Sequence, residues 1–330
     1  MNMLRHYIKL AIRNLIKYKS QSVISIIGLA IGFTCFALST LWIRYEQTYD
    51  TFHDGADRIY LVRPESKTTN NGLSEITPYP LAGYLKATFP EIEDACNMQA
   101  WGTTVRYKGT EYRSFKMDID SAAMHMFKLK ITNGNHNFLT ENSNEIAITE
   151  RLAQQLFGTE NPLGQELELY GEKKKICAII QSWSRHSNIP YEIVGNFSPG
   201  DNRSQWYASM CQTFIKLKKG VDAQKFIQKL YEHTYETENS IVVKKSVATP
   251  ITAMRYDRPN QGVTVKYEHI RLFALAGGLV ILCSLFNYLT LFITRIRMRD
   301  REIALRKVNG SSNRELLMLF STEYLITLVF

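Results

Sequence analysis

The sequence lacks the short motifs of several enzyme classes. It contains no Gly-x-x-x-x-Gly-Lys-Ser/Thr segment, so we expect that this chain does not hydrolyse ATP. It also lacks Gly-x-Ser-x-Gly and Cys-x-x-Cys. The histidines of the long middle segment have no metal-ligand spacing; they are His53, His125, His136, His186, His233 and His269. We therefore predict no catalytic residue, no metal and no cofactor. Ser184, His186 and Ser187 lie close together, which is more typical of a hydrogen-bonded loop than of a hydrolytic site.

Cysteine is scarce, with five residues in a chain of 330. Cys96, Cys177 and Cys211 lie in the middle segment, where an oxidising compartment would permit one disulfide. Cys177 alternates into the apolar run ICAII, so it is most simply a buried thiol. Cys35 and Cys283 fall within two long apolar stretches.

Charge is absent from those two stretches. Residues 22–43 and 272–294 contain no Asp, Glu, Lys or Arg, and each is long enough to cross a hydrocarbon core of about 30 Å as a helix. A cleaved signal peptide and a buried core helix are the alternatives. The first run is long for a signal peptide and has no small-x-small cleavage site, and two core helices would not need matching basic flanks. We predict two transmembrane helices.

Acidic residues are few on the flanks of these stretches. Residues 1–43 carry five basic and no acidic side chains, and residues 272–330 carry seven and four. The intervening residues 44–271 carry 28 basic and 27 acidic side chains, which leaves no basic surplus for nucleic acid. Because basic flanks stay on the cytoplasmic side, both ends are predicted inside and residues 44–271 outside. The surplus would meet anionic membrane lipids.

The first 21 residues are predicted to form a cytoplasmic interfacial helix. Apolar residues recur at helical spacing while Arg5, Lys9 and Arg13 step along another face. A plain extension of the first span is the alternative.

Within that span, Gly28 and Gly32 form a small-xxx-small pair that predicts close helix packing. Asn287 in the second span is expected to hydrogen-bond a neighbouring helix.

The outer segment alternates strand and helix patterns. Strand 58–63, a helix introduced by Thr77 and Pro78, and a strand to about Tyr107 make one β-α-β unit. Strand 212–217, a helix capped by Asp222 and strand 241–247 make a second. That second helix is predicted to turn these side chains inward: Phe226, Ile227, Leu230 and Tyr231.

Two such units predict a split β-α-β, porter-like lobe. Residues from about 108 to 210 would form an inserted second lobe, with a helix that stops at Gly158 and a hairpin through Gly171. The predicted fold class is an α-helical membrane protein with a mixed α/β extracytoplasmic domain.

The segment after the second span carries the most specific motif. It has the form R-x-R-E-I-x-x-R-K-x-x-G-x-S, beginning at Arg299 and ending at Ser312. With this motif and with ITERLAQQLFGTENPLGQEL at residues 148–167, the chain resembles the MacB/FtsX-type permeases of ABC transporters. The resemblance covers the basic lead-in, the first span, the outer segment as a MacB-like periplasmic core domain, and the motif itself.

The resemblance implies that residues 295–323 form a cytoplasmic coupling segment, which docks in a groove of a separate ATP-binding subunit. An alternative for such basic and amphipathic residues is anchoring to lipid headgroups. Gly310 is expected to end one helix, and Ser311 or Ser312 to cap the next. The residues assigned to coupling are Arg299, Arg301, Glu302, Arg306, Lys307, Gly310, Ser312 and Glu315.

The function that the resemblance implies is that of a non-catalytic permease subunit in a bacterial inner membrane, acting by mechanotransmission in export, lipoprotein handling or cell-envelope regulation. Its implied partners are an ABC-type ATP-binding subunit, a second permease copy, membrane lipids, and a periplasmic partner or cargo. An FtsX-like permease domain would begin near residue 272, with a third span opening at residues 324–330 and further spans beyond. A two-span membrane receptor is the alternative function, and a membrane-anchored hydrolase is a third.

Overall fold

A computed structural model describes residues 19–65, 72–184, 186–236, 242–243, 245–256, 266–297, 300–310, 312–314, 316–318 and 321. The chain divides into two compact units. One comprises Met1–Glu46 with Tyr267–Phe330, and the other, here called the outer domain, comprises Gln47–Lys266.

The helices are α1 (Lys19–Gln47), α2 (Leu81–Thr88), α3 (Ser121–Met126), α4 (Glu150–Phe157), α5 (Ala223–Glu232), α6 (Tyr267–Arg297) and α7 (Asp300–Val308). Short 3₁₀ helices span Ala56–Arg58, Asn137–Leu139, Gly200–Asn202 and Ile251–Tyr256. The strands are β1 (Ile59–Pro64), β2 (Thr77–Pro78), β3 (Ile92–Tyr107), β4 (Thr110–Ile119), β5 (Ile131–Gly134), β6 (Glu145–Thr149), β7 (Glu166–Leu169), β8 (Glu172–Ile180), β9 (Ile193–Asn196), β10 (Ser209–Leu217), β11 (Tyr235–Glu236), β12 (Val242–Val243) and β13 (Ser246–Pro250). This mixture of helices and strands confirms the predicted mixed α/β domain.

Two helices are long and apolar enough to cross a membrane. Their apolar windows are Ile26–Gln47 in α1 and Tyr267–Thr290 in α6. Both helices begin before and end after the charge-free runs from which they were predicted. The predicted interfacial helix falls almost entirely outside the described residues, and so does the predicted start of a third span.

Four strands of the outer domain form an antiparallel sheet in the order β13-β1-β10-β3. In this order β1 and β3 run parallel with β10 between them, which is the split arrangement that two β-α-β units produce. Helices α2 and α5 supply Leu85 and Phe226 to one apolar cluster with Tyr60 and Ile215 from the strands. Burial of this cluster holds both helices to the sheet.

Local sequence signals in these units predict the start of α5 correctly, but they fail at Thr77–Pro78 and for the side chain of Tyr231. The Asp222 carboxylate accepts hydrogen bonds from the backbone N–H groups of Gln224 and Lys225 at 3.1 and 3.2 Å, as a helix cap does. Thr77 and Pro78, predicted to open a helix, instead form strand β2 against β10, and the helix starts after Pro80. Tyr231, predicted inward, is 37% exposed.

A second group of strands closes on itself. Strand β3 pairs with β4, β4 with β9, β9 with β6, β6 with β8, β8 with β7, and β7 returns to β3. We call these six strands the ring. Its apolar cluster takes residues from β3, β6, β7, β8 and β9, with Tyr112 of β4 packed against them. Leu152 and Phe157 of α4 join the same cluster. Closure of this kind leaves few unpaired strand edges.

The local elements predicted within this region are present. Helix α4 is capped by the Thr149 hydroxyl and stops at Gly158, whose φ is +58°. Strands β7 and β8 form the predicted hairpin. Strand β3 belongs to both sheet regions, because its first half pairs with β10 and its second half with β4. The boundary proposed near residue 108 therefore lies at the β3–β4 turn and stays a prediction.

Candidate functional site

The two long helices approach each other closely at small residues. A methyl group placed on Gly32 would lie 2.1 Å from the Oγ and 2.5 Å from the Cβ of Ser284. A methyl group on Gly277 would lie 3.0 Å from the Cβ of Ser39. The same construction on Gly28 meets the Asn287 side-chain amide at 3.1 Å. Glycine at these points lets one helix lie against the side chains of the other.

The predicted coupling segment is a helix followed by a break. Helix α7 ends with hydrogen bonds from the N–H of Asn309 to the Leu305 carbonyl at 3.0 Å and from the N–H of Gly310 to the Lys307 carbonyl at 3.1 Å. Gly310 has φ +91°, which favours glycine strongly. After it, the Leu316 N–H donates to the Ser312 carbonyl at 3.2 Å, which begins another helical turn.

The assigned coupling residues are described to different extents. Arg301, Lys307, Gly310 and Ser312 are exposed. Glu302 and Arg306 lie within α7, although their side chains are outside the description, and Arg299 and Glu315 fall outside it altogether. Their role in coupling stays a prediction. The apolar side chains on this segment that are well exposed are Leu305, Val308, Leu317 and Met318.

A buried polar site lies where the chain leaves α1 and enters the outer domain. Asp50 is fully buried, at 0% exposure, and has the left-handed φ of +56°. Its carboxylate accepts hydrogen bonds from the Ser187 hydroxyl, from the Asn188 N–H at 3.0 Å and from the Asn188 side-chain amide at 2.7 Å. Hydrogen bonds to a charged group contribute about 1.5–3 kcal/mol each, so these donors offset the cost of burying the carboxylate.

Residues next to Asp50 make further hydrogen bonds and ring contacts at the same site. The Asp50 N–H donates to the His186 carbonyl at 3.2 Å, and the His186 Nε2 lies 3.1 Å from the Thr48 hydroxyl. The Tyr49 ring contacts the His186 ring, with centroids 3.8 Å apart, and the Arg255 guanidinium lies 3.9 Å from the Tyr49 centroid. We call Tyr49, Asp50, His186, Ser187 and Asn188 the Asp50 clasp. No local sequence pattern predicts it, because its two halves are 138 residues apart.

Ser184, Ser187 and the three cysteines of the outer domain make structural contacts. The Ser184 hydroxyl accepts from the His186 N–H at 3.1 Å, and the Ser187 hydroxyl donates to Asp50, as expected of a hydrogen-bonded loop. Cys96, Cys177 and Cys211 are buried free thiols, and burial raises the pKa of Cys211 to about 12. A thiol with so high a pKa forms little thiolate at neutral pH. Across the described ranges no cluster of three His, Cys, Asp or Glu residues can hold a metal ion.

A broad concavity lies along β3 and β4. It has a volume of about 650 Å³ and includes Phe115 and Tyr170, which are both exposed. Arg106 lies on its wall and pairs with Glu111 and with Glu168, at 2.5 and 3.0 Å. The surface is open and holds mixed charges.

Comparisons with known proteins match this architecture. The family model for the MacB-like periplasmic core domain matches residues 22–232, more than half of the chain. A domain of a Porphyromonas gingivalis protein described as a permease has 16% identity and a TM-score of 0.50, and the match covers 66% of this chain and 99% of that one. At this identity the likeness shows the fold alone.

Two further solved structures are similar. The extracellular domain of the noncanonic ABC-type transporter YknZ from Gram-positive bacteria has 13% identity and a TM-score of 0.43, covering 58% of this chain and 99% of that one. The periplasmic region of MacB from Actinobacillus actinomycetemcomitans has 12% identity and a TM-score of 0.45, covering 63% and 95%. No curated protein matches. On the strength of the family match, with an apolar helix before and after the outer domain in the sequence, this chain belongs to the family of the MacB-like periplasmic core domain.

Proposed function

We propose that this chain is the permease subunit of an ABC-type transporter and that it acts by mechanotransmission. A separate ATP-binding subunit would move the cytoplasmic coupling segment, the membrane helices would relay that motion, and the outer domain would hold or release a partner or cargo. The observation that carries the proposal is the family match over residues 22–232. In this arrangement the chain itself is not an enzyme, because ATP hydrolysis belongs to the partner.

The shape of the coupling segment supports docking to a protein. Helix α7 stops at the left-handed Gly310, and a further helical turn starts within four residues. Leu305 and Leu317 are 65% and 66% exposed, so apolar surface is available on both sides of the break. Apolar side chains that project from a defined helical break fit a groove in a partner better than they fit water. Anchoring of the same residues to lipid headgroups is the competing outcome.

The orientation follows from charge. The basic flanks predict a cytoplasmic N-terminus and an outer domain on the periplasmic side of a bacterial inner membrane. The close approach at Gly32, with Gly28 near it, would set the pairing of α1 with α6. The other faces of these helices would meet lipid or a second permease copy.

Purification from native membranes tests the proposal. We expect the full-length wild type to bring down an ATP-hydrolysing subunit. Gly310→Pro and Glu302→Lys should reach the membrane but lose that subunit, since proline cannot adopt the φ of +91° and the lysine reverses a charge in α7.

Gly220→Pro is the matched control. Gly220 has a similar φ of +84° but lies in a turn of the outer domain. The Gly220→Pro variant should still bring down the ATP-hydrolysing subunit. Retention of the subunit by both coupling variants, or its absence from the wild type, would contradict the proposal. Recovery of a kinase instead would favour the alternative function, a two-span membrane receptor.

A further inference from the structure

We infer that the Asp50 clasp transmits motion from α1 to the ring of the outer domain. This inference rests on the proposed function, because it requires that the membrane helices move. It assigns the transmission to particular polar contacts and not to the outer domain as a whole.

The first step is the link between the clasp and α1. Thr48 directly follows Gln47, the last residue of α1, so displacement of that helix end reaches Asp50 through three residues. Tyr49 and Asp50 are both buried, and the Asp50 N–H is bonded to the His186 carbonyl at 3.2 Å. The helix end therefore pulls or pushes directly on residues 186–188.

The second step is the link between the clasp and the ring. Only four residues separate Asn188 from the first residue of β9. Ile189 is 2% exposed and its N–H donates to the Ser187 hydroxyl at 3.1 Å. Tyr191 is buried as well, and its hydroxyl donates to the Gln181 carbonyl at 3.0 Å. Such a short, bonded and buried path resists stretching.

The third step lies within the ring. Strand β9 pairs in parallel with β4 and antiparallel with β6, so it is held on both sides. Ile193 is fully buried in the apolar cluster of the ring. Because close-packed interiors transmit displacement, a shift of β9 moves its neighbours.

The geometry of Asp50 distinguishes the clasp from ordinary packing. A non-glycine residue at φ +56° is uncommon and is retained where the surroundings fix it. Within the described part of the chain, the hydrogen bonds to its carboxylate come from Ser187 and Asn188, and the Nε2 of the buried His53 lies 3.7 Å from its Oδ1. Loss of those donors would weaken the link between α1 and the ring without removing any apolar side chain from the core, and the backbone contact of Asp50 with His186 would remain.

Hydrogen exchange on the full-length permease with its ATP-binding subunit, in lipid vesicles, tests this inference. Exchange is compared with and without a non-hydrolysable ATP analogue at two places, Asp300–Val308 and Ile193–Asn196. Asp50→Asn keeps the size and the left-handed tolerance of the residue but turns an amide donor toward the Asn188 donors. Asn188→Ala removes the side-chain amide donor at 2.7 Å from the other side and keeps the backbone N–H of residue 188.

Ser198→Ala is the matched control. The Ser198 hydroxyl donates to the side chain of Asn142 at 3.1 Å, and Asn142 also has a left-handed φ, of +57°. Without nucleotide, exchange at 193–196 should be the same in all variants, which shows that β9 is folded.

The expected result is a nucleotide response at both places in the wild type and in the control. Both clasp variants should keep the response at 300–308 and lose it at 193–196. Persistence of the response at 193–196 in both clasp variants would overturn the inference and leave the proposed function intact. Absence of any response at 300–308 in the wild type would overturn the proposed function, and the inference with it.

Discussion

Substitution of Gly32 by alanine gives the sharpest test of how α1 and α6 pack. The added methyl would lie 2.1 Å from the Ser284 Oγ and 2.5 Å from its Cβ. Carbon atoms in good contact lie about 3.5–4.0 Å apart, so the helices would have to separate by about 1 Å or more. Rotation of the Ser284 hydroxyl, which donates to the Val280 carbonyl at 2.9 Å, would not relieve the contact with the Cβ.

Two opposing effects set the change in the free energy of unfolding that Gly32→Ala should cause. Overpacking costs about 1–3 kcal/mol, and a contact this short belongs near the upper end. Alanine in place of glycine within a helix contributes about 1 kcal/mol in the other direction. We therefore expect Gly32→Ala to lower the free energy of unfolding by about 1–2 kcal/mol. Gly278→Ala is the matched control, because a methyl at Gly278 meets nothing within 4 Å, and it should be neutral or stabilising.

The assay is denaturant unfolding of the full-length chain in mixed micelles, followed by the loss of helical circular dichroism. Combining Gly32→Ala with Ser284→Gly removes the atoms that clash and should recover most of the loss. The packing account fails if Gly32→Ala unfolds like Gly278→Ala, or if Ser284→Gly brings no recovery.

Three more predictions concern the outer domain and the topology. Gly195→Ala would place a methyl 2.6 Å from the buried Asp118 Oδ1 and should lower the free energy of unfolding by about 1–3 kcal/mol, seen as a lower melting temperature. Burial raises the pKa of Asp118 although Lys116 opposes it, so the folded state binds the proton more tightly than the unfolded state. The wild type should therefore gain stability relative to Asp118→Asn as the pH falls through the raised pKa toward about 3.9, and a gain on raising the pH would contradict this. A reporter inserted near Gly200 should be active only outside the cytoplasm and one near Gly310 only inside, and the reverse pattern would refute the orientation.

Elements with strong local signals could be predicted from the sequence. The charge-free runs predicted both long helices, Asp222 predicted the start of α5, and Gly158 predicted the end of α4. Each signal lies within a few residues of the feature that it specifies. The same local logic failed at Thr77, because pairing with Cys211 across the sheet outweighed its preference for a helix start.

The ring and the Asp50 clasp could not be predicted in this way. The parallel pairing of β4 with β9 joins Lys116 to Ile193, and no turn between them fixes the register. Asp50 and Asn188 are 138 residues apart, and an isolated aspartate beside a predicted span does not indicate which donors it will bind. The coupling motif was different, since it was recognised by its resemblance to a family and its role is still a prediction.

Site-specific photocrosslinking from Leu317 in intact cells tests the central claim most directly. Leu317 is 66% exposed and follows the helix break at Gly310, so a photoreactive residue there would contact whatever covers the coupling segment. Tyr207, which is 59% exposed on the outer domain, is the control position. The account predicts that an ATP-binding subunit is captured from Leu317 and not from Tyr207. Capture of lipid alone, or of a signalling protein, at Leu317 would contradict it.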